Sequence, residues 1–292
     1  MLNTRVAKEL LTAGLDPADT ERAVRGALYE DLRYGPDVTS AATASPDARA
    51  VAGVVARDRG VLAGLPVALA VLDAAGIPWG SAEPLRADGD LIGPGTEVLR
   101  IHAPLRELLG AERTLLNFLT HLSGIATTTR AWVDAVSGTG CAVRDTRKTI
   151  PGLRQLEKYA VRCGGGLNHR MGLGDAALIK DNHVVAAGGV AKAIEAVRAS
   201  APTLPMEVEC DTLAQVKEAL AAGAELILLD NMDLADLRAA VALARPYPSV
   251  RLEASGGLRL DTARAAAETG VDFISVGALT HSSPALDLGL DV

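Results

Sequence analysis

The chain has 292 residues, 49% of them hydrophobic, and a formal net charge of -7. That length holds one large α/β domain or two domains with a proper core, and the apolar fraction excludes a disordered chain. An acidic balance, with a sequence pI of about 5.3, argues against nucleic acid as the main partner.

In chain order, helical periodicity covers residues 4–13 and 17–32, with a turn at Asp16-Pro17 between them. Strand-like pieces follow at 50–57 and 97–102, with an apolar helix at 65–76 and turns at residues 87–90 and 93–95. A longer helix over 105–123 leads out of this α+β portion. After residue 135 short apolar strands alternate with amphipathic helices. The strands are expected at 142–144, 177–179, 206–208, 226–229, 250–252 and 273–276. Helices at 190–199, 213–222, 234–244 and 260–269 lie among them. Such repeats imply a parallel sheet. With no nucleotide-binding GxGxxG after the first strand, closure into a barrel is favoured over a doubly wound sheet. A barrel collects its functional groups at the C-terminal ends of its strands.

The three cysteines, Cys141, Cys163 and Cys210, are odd in number and spaced neither as zinc ligands nor as CxxC. They read as reduced thiols in a cytoplasmic protein. The first fifteen residues lack the uninterrupted apolar run of a signal peptide. The longest uncharged run, 60–72, contains Pro66 and is too short to span a bilayer. The expectation is a soluble protein that engages no membrane.

The densest chemistry lies in residues 144–183. There Arg144, Arg147, Lys148, Arg154, Lys158, Arg162, Arg170 and Lys180 gather in an otherwise acidic chain. An amphipathic helix, with Leu153, Leu156, Tyr159, Ala160 and Val161 on one face, ends at Gly164-Gly165-Gly166. Arg154 and Lys158 are expected on its solvated side. Arg147, Lys148, His169, Arg170 and Lys180 fall at turns and strand ends, where cations build an anion site.

The expected strand ends carry Asp145 with Arg147 and Lys148, then Lys180, Glu209, Asp230, Ser255-Gly256-Gly257 and Gly277. Glu209 and Asp230 have no Cys or His at metal-ligand spacing, which argues against zinc. Two carboxylates with room for water and phosphate suit magnesium, bound largely through a phosphorylated substrate. A general acid/base pair, or an ion pair with Lys180 or Lys148, would use the same residues. The turns Ser255-Gly256-Gly257 and Val276-Gly277-Ala278 suit a backbone cradle for phosphate. Arginine forks suit a planar dicarboxylate. Lys180 could serve as a Schiff-base nucleophile, although electrostatic binding fits its cationic neighbours better.

Residues 145–183, DTRKTIPGLRQLEKYAVRCGGGLNHRMGLGDAALIKDNH, closely resemble the central motif of the quinolinate phosphoribosyltransferase family. The resemblance extends through LLGAERTLLNFLTHLSGIAT (108–127), EVEC (207–210), ILLDNM (227–232), LEASGG (252–257) and FISVGALTHS (273–282). Two departures stand beside the functional positions: the turn Asp31-Leu32-Arg33-Tyr34-Gly35-Pro36, and Ile150 where Thr is common.

The resemblance implies an N-terminal α/β sandwich (1–122, with the C-terminal tail packing back on it) and an irregular, seven-stranded open α/β barrel (123–292). It implies phosphoribosyl transfer from phosphoribosyl pyrophosphate to the ring nitrogen of quinolinate. Loss of the 2-carboxylate as CO2 then gives nicotinate mononucleotide and pyrophosphate for NAD synthesis. By the same resemblance Arg113, Arg147, His169 and Arg170 grip quinolinate, with Lys148 and Lys180 near its carboxylates and the pyrophosphate, and Thr146 is a further substrate-binding residue. Glu209 and Asp230 face the ribose and magnesium, and the two glycine turns hold the 5-phosphate. A homodimer is implied, with Arg113 completing the neighbour's site. Two other readings use similar residues: a molybdenum-transport-associated paralogue of the same fold, and a non-catalytic phosphosugar-binding protein.

Overall fold

The computed structural model describes residues 1–292. In chain order the elements are α1 (Thr4–Thr12), α2 (Pro17–Leu32), α3 (Val38–Thr43), β1 (Arg49–Ala56), β2 (Gly60–Val61), α4 (Leu65–Ala74), β3 (Ala82–Pro84), β4 (Leu91–Ile92), β5 (Glu97–Pro104) and α5 (Leu105–Ala135). Then come β6 (Ala142–Arg144), α6 (Arg154–Cys163), β7 (Ala177–Ile179), α7 (Asp181–Ala187), α8 (Val190–Ser200), β8 (Met206–Cys210), α9 (Leu213–Ala221), β9 (Leu226–Asp230), α10 (Leu234–Ala244), β10 (Arg251–Ser255), α11 (Leu260–Ala267), β11 (Phe273–Ser275), α12 (Ala278–His281) and β12 (Leu288–Asp291). They fall into two compact units. One comprises Met1–Arg130, Thr149–Gly165 and Leu279–Val292, the other Ala131–Lys148 and Gly166–Ala278.

In the first unit β12, β1, β5 and β3 form an antiparallel sheet in that order. Period two sets its faces: Ala52, Val54 and Ala56 of β1 are buried while Val51 is exposed. Helix α2 starts where Asp16 accepts from the N–H groups of Ala18 and Asp19, with Pro17 at its first position. Helix α4 is apolar nearly all round and correspondingly buried. Its N-cap, Gly64, has no side chain to offer. Asp88 supplies the missing acceptor, taking the N–H groups of Gly64 and Leu65 and the Tyr159 hydroxyl, the last at 2.5 Å.

Two expectations change in this unit. Helix α5 continues past Ser123 to Ala135, because Gly124 is not a stop. A Cβ there would sit 2.1 Å from the Pro284 carbonyl oxygen, so glycine lets the helix lie against the 284–285 backbone. Lys158 is not on a solvated face: it is fully buried, and every residue from Leu156 to Val161 is buried with it. Helix α6 is enclosed on most of its circumference, so a one-sided amphipathic reading assigned Lys158 wrongly. Arg154 is half-buried, with Nε on the Thr149 hydroxyl.

In the second unit all six expected strands form, in the order β6-β11-β10-β9-β8-β7, every pair parallel. A bridge between Arg144 and Leu167 adds a short seventh position beyond β6. Hydrogen bonding does not pass from β7 back to that edge, so the sheet is open, as the resemblance implied. One face carries Ile179, Val208, Cys210, Ile227, Leu229, Leu252, Ala254 and Ile274, all buried. The opposite face carries the polar groups. No helix of the chain is long and apolar enough to cross a membrane.

Candidate active site

The residues that alternate with this apolar face line a cavity of about 160 Å³, built wholly from the second unit. Leu178 and Lys180, Leu228 and Asp230, Glu253 and Ser255 enter as pairs two apart, with Glu209 and Ser275 beside them. Register puts Glu209 opposite Leu228, Leu228 opposite Glu253, and Asp230 opposite Ser255. The strand sequences MEVEC, LILLD and RLEAS therefore turn their acids and hydroxyls to one side. Thr146, Arg147 and Lys148 come from the segment after β6, and His169 and Arg170 from the one before β7.

The cations are held by short-range contacts. The Lys148 N–H donates to the Thr146 hydroxyl oxygen, bending the chain after β6. Arg170 donates from Nη1 to the Ala176 carbonyl at 3.0 Å, which fixes its guanidinium across the loop. Asp175 ties the same loop by accepting from the Met171 and Gly172 N–H groups. Partial burial, and then the neighbouring Arg147 charge, pull the Arg170 guanidinium below the usual arginine range. Two like charges held together while partly desolvated are a strained arrangement that an anion relieves. Lys180 Nζ lies 2.6 Å from Glu209 Oε2, so the ion pair weighed from sequence is present.

Beneath the cavity lies a buried polar layer. Asp145, fully buried, accepts from the His169 N–H at 2.8 Å and from Asn168 Nδ2 at 2.6 Å. Nδ1 of His169 accepts from the Arg170 N–H at 2.7 Å, so the ring proton belongs on Nε2, which faces Glu207 Oε2 at 2.7 Å. Glu253 binds Arg144 Nη1 at 2.5 Å and lies 3.8 Å from the His169 ring. Burial, then repulsion from Glu207, raises the Glu253 carboxyl above the usual range, while Arg144 and His169 oppose that rise. His169, Glu207 and Glu253 also bring three possible ligand atoms within 4.8 Å. As a metal centre the cluster is poorly matched. Its one ring nitrogen on that side carries a proton, and Arg144 already neutralises Glu253.

Glu209 and Asp230 differ from that layer. They end adjacent strands at the cavity, and each commits one oxygen to a neighbour: Glu209 to Lys180, and Asp230 to Asn231 Nδ2 at 2.7 Å. That is a hard oxygen donor set with the second oxygen left for a ligand, and it fits magnesium.

Of the residues expected at the site, the cavity lining includes Thr146, Arg147, Lys148, His169, Arg170, Lys180, Glu209, Asp230 and Ser255. Gly256 and Gly257 follow β10 with positive φ, +88° and +61°, and Val276, Gly277 and Ala278 follow β11. These five are not among the lining residues. Arg113 is exposed on α5, in the first unit. Sequence reasoning missed Glu207 and Glu253, and it named Arg144 among the clustered cations without its buried partner. The available signal was an acid at the inward position of otherwise apolar strands, Glu207 two before Glu209 and Glu253 two before Ser255.

The family model described as "Quinolinate phosphoribosyl transferase, C-terminal domain" matches residues 125–291, and the corresponding N-terminal domain matches residues 37–123. The nicotinate-nucleotide pyrophosphorylase (carboxylating) of Mycobacterium leprae is 54% identical over 271 residues, covering 92% of this chain and 95% of that one. The Homo sapiens protein of the same name is 40% identical over 282 residues, covering 94% and 92%. The solved nicotinate-nucleotide pyrophosphorylase from Francisella tularensis superposes with a TM-score of 0.86 at 38% identity, covering 94% of this chain and 96% of that one.

Proposed function

Because the chain belongs to the quinolinate phosphoribosyl transferase family, we propose that it transfers phosphoribosyl from phosphoribosyl pyrophosphate to the ring nitrogen of quinolinate. The product loses its 2-carboxylate as CO2, leaving nicotinate mononucleotide and pyrophosphate for NAD biosynthesis. One observation carries this reading: a single cavity sets Arg147, Lys148, Arg170 and Lys180 against Glu209 and Asp230. Capture of one phosphate needs neither four cations nor two opposed acids.

The guanidinium groups of Arg147 and Arg170 take the ring carboxylates of quinolinate, and Lys148 and Lys180 add charge toward the carboxylates and the leaving pyrophosphate. Thr146 bends the chain that presents Lys148. His169, with both ring nitrogens engaged, holds the loop that carries Arg170. Glu209 and Asp230 lie beside the ribose, where positive charge builds as the bond to pyrophosphate lengthens. They would also hold magnesium, which when bound neutralises the leaving group. The turns Ser255-Gly256-Gly257 and Val276-Gly277-Ala278 receive the 5-phosphate through backbone N–H groups. Once the ring nitrogen is quaternised its positive charge stabilises the carbanion that departing CO2 leaves at C2, and that carbon then takes a proton from solvent to give nicotinate mononucleotide, so no side chain acts as nucleophile. The enzyme's work is orientation and exclusion of water.

The assay is formation of nicotinate mononucleotide from quinolinate, phosphoribosyl pyrophosphate and magnesium, with nicotinate as the control. Removing one carboxylate leaves a half-buried arginine without its partner, so nicotinate turns over far more slowly. Equal use of both acids would overturn the reading.

The assembly that fits this reading is a homodimer in which the exposed Arg113 of one subunit completes the site of the other. Mixing inactive Arg113→Ala subunits with inactive Lys148→Ala subunits restores partial activity if the site is shared, since each mixed dimer keeps one intact site. Mixed dimers proven by mass spectrometry yet inactive would return Arg113 to its own subunit.

A further inference from the structure

Asn231 has a positive φ, +53°, the one residue other than glycine to do so in this chain. It follows directly on Asp230 at the end of β9. Asparagine tolerates this left-handed conformation better than most side chains, but glycine holds it with less strain. The presence of a side chain therefore calls for a use. Three contacts supply one. The Asn231 Nδ2 donates to Asp230 Oδ2 at 2.7 Å, and its backbone N–H donates to the Ser255 carbonyl oxygen at 2.9 Å. Its Oδ1 occupies the space over Gly256, where an added Cβ would come within 2.3 Å of it.

We propose that Asn231 is a positioning residue, which orients the Asp230 carboxylate and sets the Ser255-Gly256-Gly257 turn as one piece. Asp230 and Ser255 are already partners across the β9–β10 ladder. The Asn231 amide spans the same step beyond the strands, with its donor end on the acid and its acceptor end against the turn. Gly256 thereby gains a second reason to be glycine: a side chain there would displace the amide, whatever the turn binds. The inference rests on the reading that Asp230 and this turn serve the phosphoribosyl half of the reaction. Asn231 touches no substrate in that scheme. It restrains two groups that do.

The test uses the full-length enzyme and measures KM for each substrate together with kcat and thermal midpoint. Asn231→Gly keeps the backbone conformation and removes only the amide. It is expected to lower kcat/KM for phosphoribosyl pyrophosphate about tenfold or more, the scale of small misplacements at a reacting centre, and to leave KM for quinolinate within about twofold. Asn231→Asp sets a second carboxylate against Asp230 and loses more. Gly256→Ala gives the same split, and adding Asn231→Gly to it recovers part of the loss, because the colliding amide is gone. Wild-type kinetics for Asn231→Gly, or equal rises in both KM values, would overturn the proposal. Asp230→Ala run in parallel separates the two levels. A large effect there with none for Asn231→Gly sinks only the positioning role, and no effect there sinks the role of Asp230 and this inference with it.

Discussion

Lys180 and Glu209 stand at the ends of successive strands, β7 and β8, and their charges meet at 2.6 Å across the rim of the cavity. Lys180 is 47% exposed and Glu209 10%, so solvent screens the pair on the lysine side and its contribution to folding is modest, about 1 kcal/mol. On the proposed function its value is electrostatic and local to the reaction. Lys180→Met is therefore expected to lower turnover by about 100-fold or more, the scale for loss of one preorganised charge. Its unfolding midpoint in urea stays close to wild type. A fall in activity that only follows a fall in stability would refute this division.

The guanidinium of Arg170 is held in a partly desolvated place with Arg147 as an unfavourable neighbour. Removing one of two repelling charges relieves the fold while depriving the site of a carboxylate fork. Arg170→Ala should raise KM for quinolinate by about tenfold to 100-fold, since charge-assisted forks are the stronger hydrogen bonds. The melting temperature should hold or rise, an instance of function kept at a cost in stability. Paired calorimetry and kinetics decide it; a destabilised variant would show that Arg170 is a structural cation instead.

Asp88 offers a pH test away from the cavity. Its carboxyl is raised above the ordinary aspartate range by burial, against the lowering effect of Tyr159 and the Gly64 and Leu65 N–H groups. A raised folded pKa means that the native state holds the proton more tightly than the unfolded chain. The contribution is then fully present below about pH 4, the unfolded value, and is lost as pH rises through the folded value. Asp88→Asn does not titrate. The stability of wild type relative to Asp88→Asn should be most favourable at the acid end and decline as pH rises. Urea midpoints of both proteins from acid to neutral pH check the sign, and a difference that moves the other way would contradict it.

Gly124→Ala sets two effects against each other. Alanine favours a helix interior over glycine by about 1 kcal/mol. The new Cβ would meet the Pro284 carbonyl oxygen and the Ala285 Cα, both backbone atoms that cannot swing aside. Overpacking of this kind costs about 1–3 kcal/mol. We expect net destabilisation, seen as a lower denaturation midpoint with an unchanged m-value. A stabilised variant would mean that the 284–285 segment moves freely.

Much of this organisation was legible in the sequence, for reasons that differ by element. The six parallel strands were found because each is a short apolar run between helices, and their ends, such as Lys180 and Asp230, were found because polarity changes there. Glu207 and Glu253 were not, since an acid inside an apolar strand looks like an interruption until a buried His169 and Arg144 face it. Lys158 failed for a related reason. Hydrophobic periodicity assigns a charged residue to solvent, and only tertiary contacts enclose a helix on both sides. Helix α5 was cut short because glycine is read as a terminator, whereas Gly124 is a contact surface. The strand β12 pairs with β1, residues more than two hundred positions earlier, and no local pattern announces such a partner.

The cysteines have a practical consequence. Cys141, Cys163 and Cys210 are all free, and burial pushes each thiol up to about 12. At neutral pH thiols raised in this way stay almost wholly in the protonated, weakly nucleophilic form. The three natural thiols are thus expected to react slowly with maleimides and iodoacetamide. A single cysteine introduced on an exposed helix would react ahead of them, so brief labelling places a fluorophore or spin label chiefly at the new position.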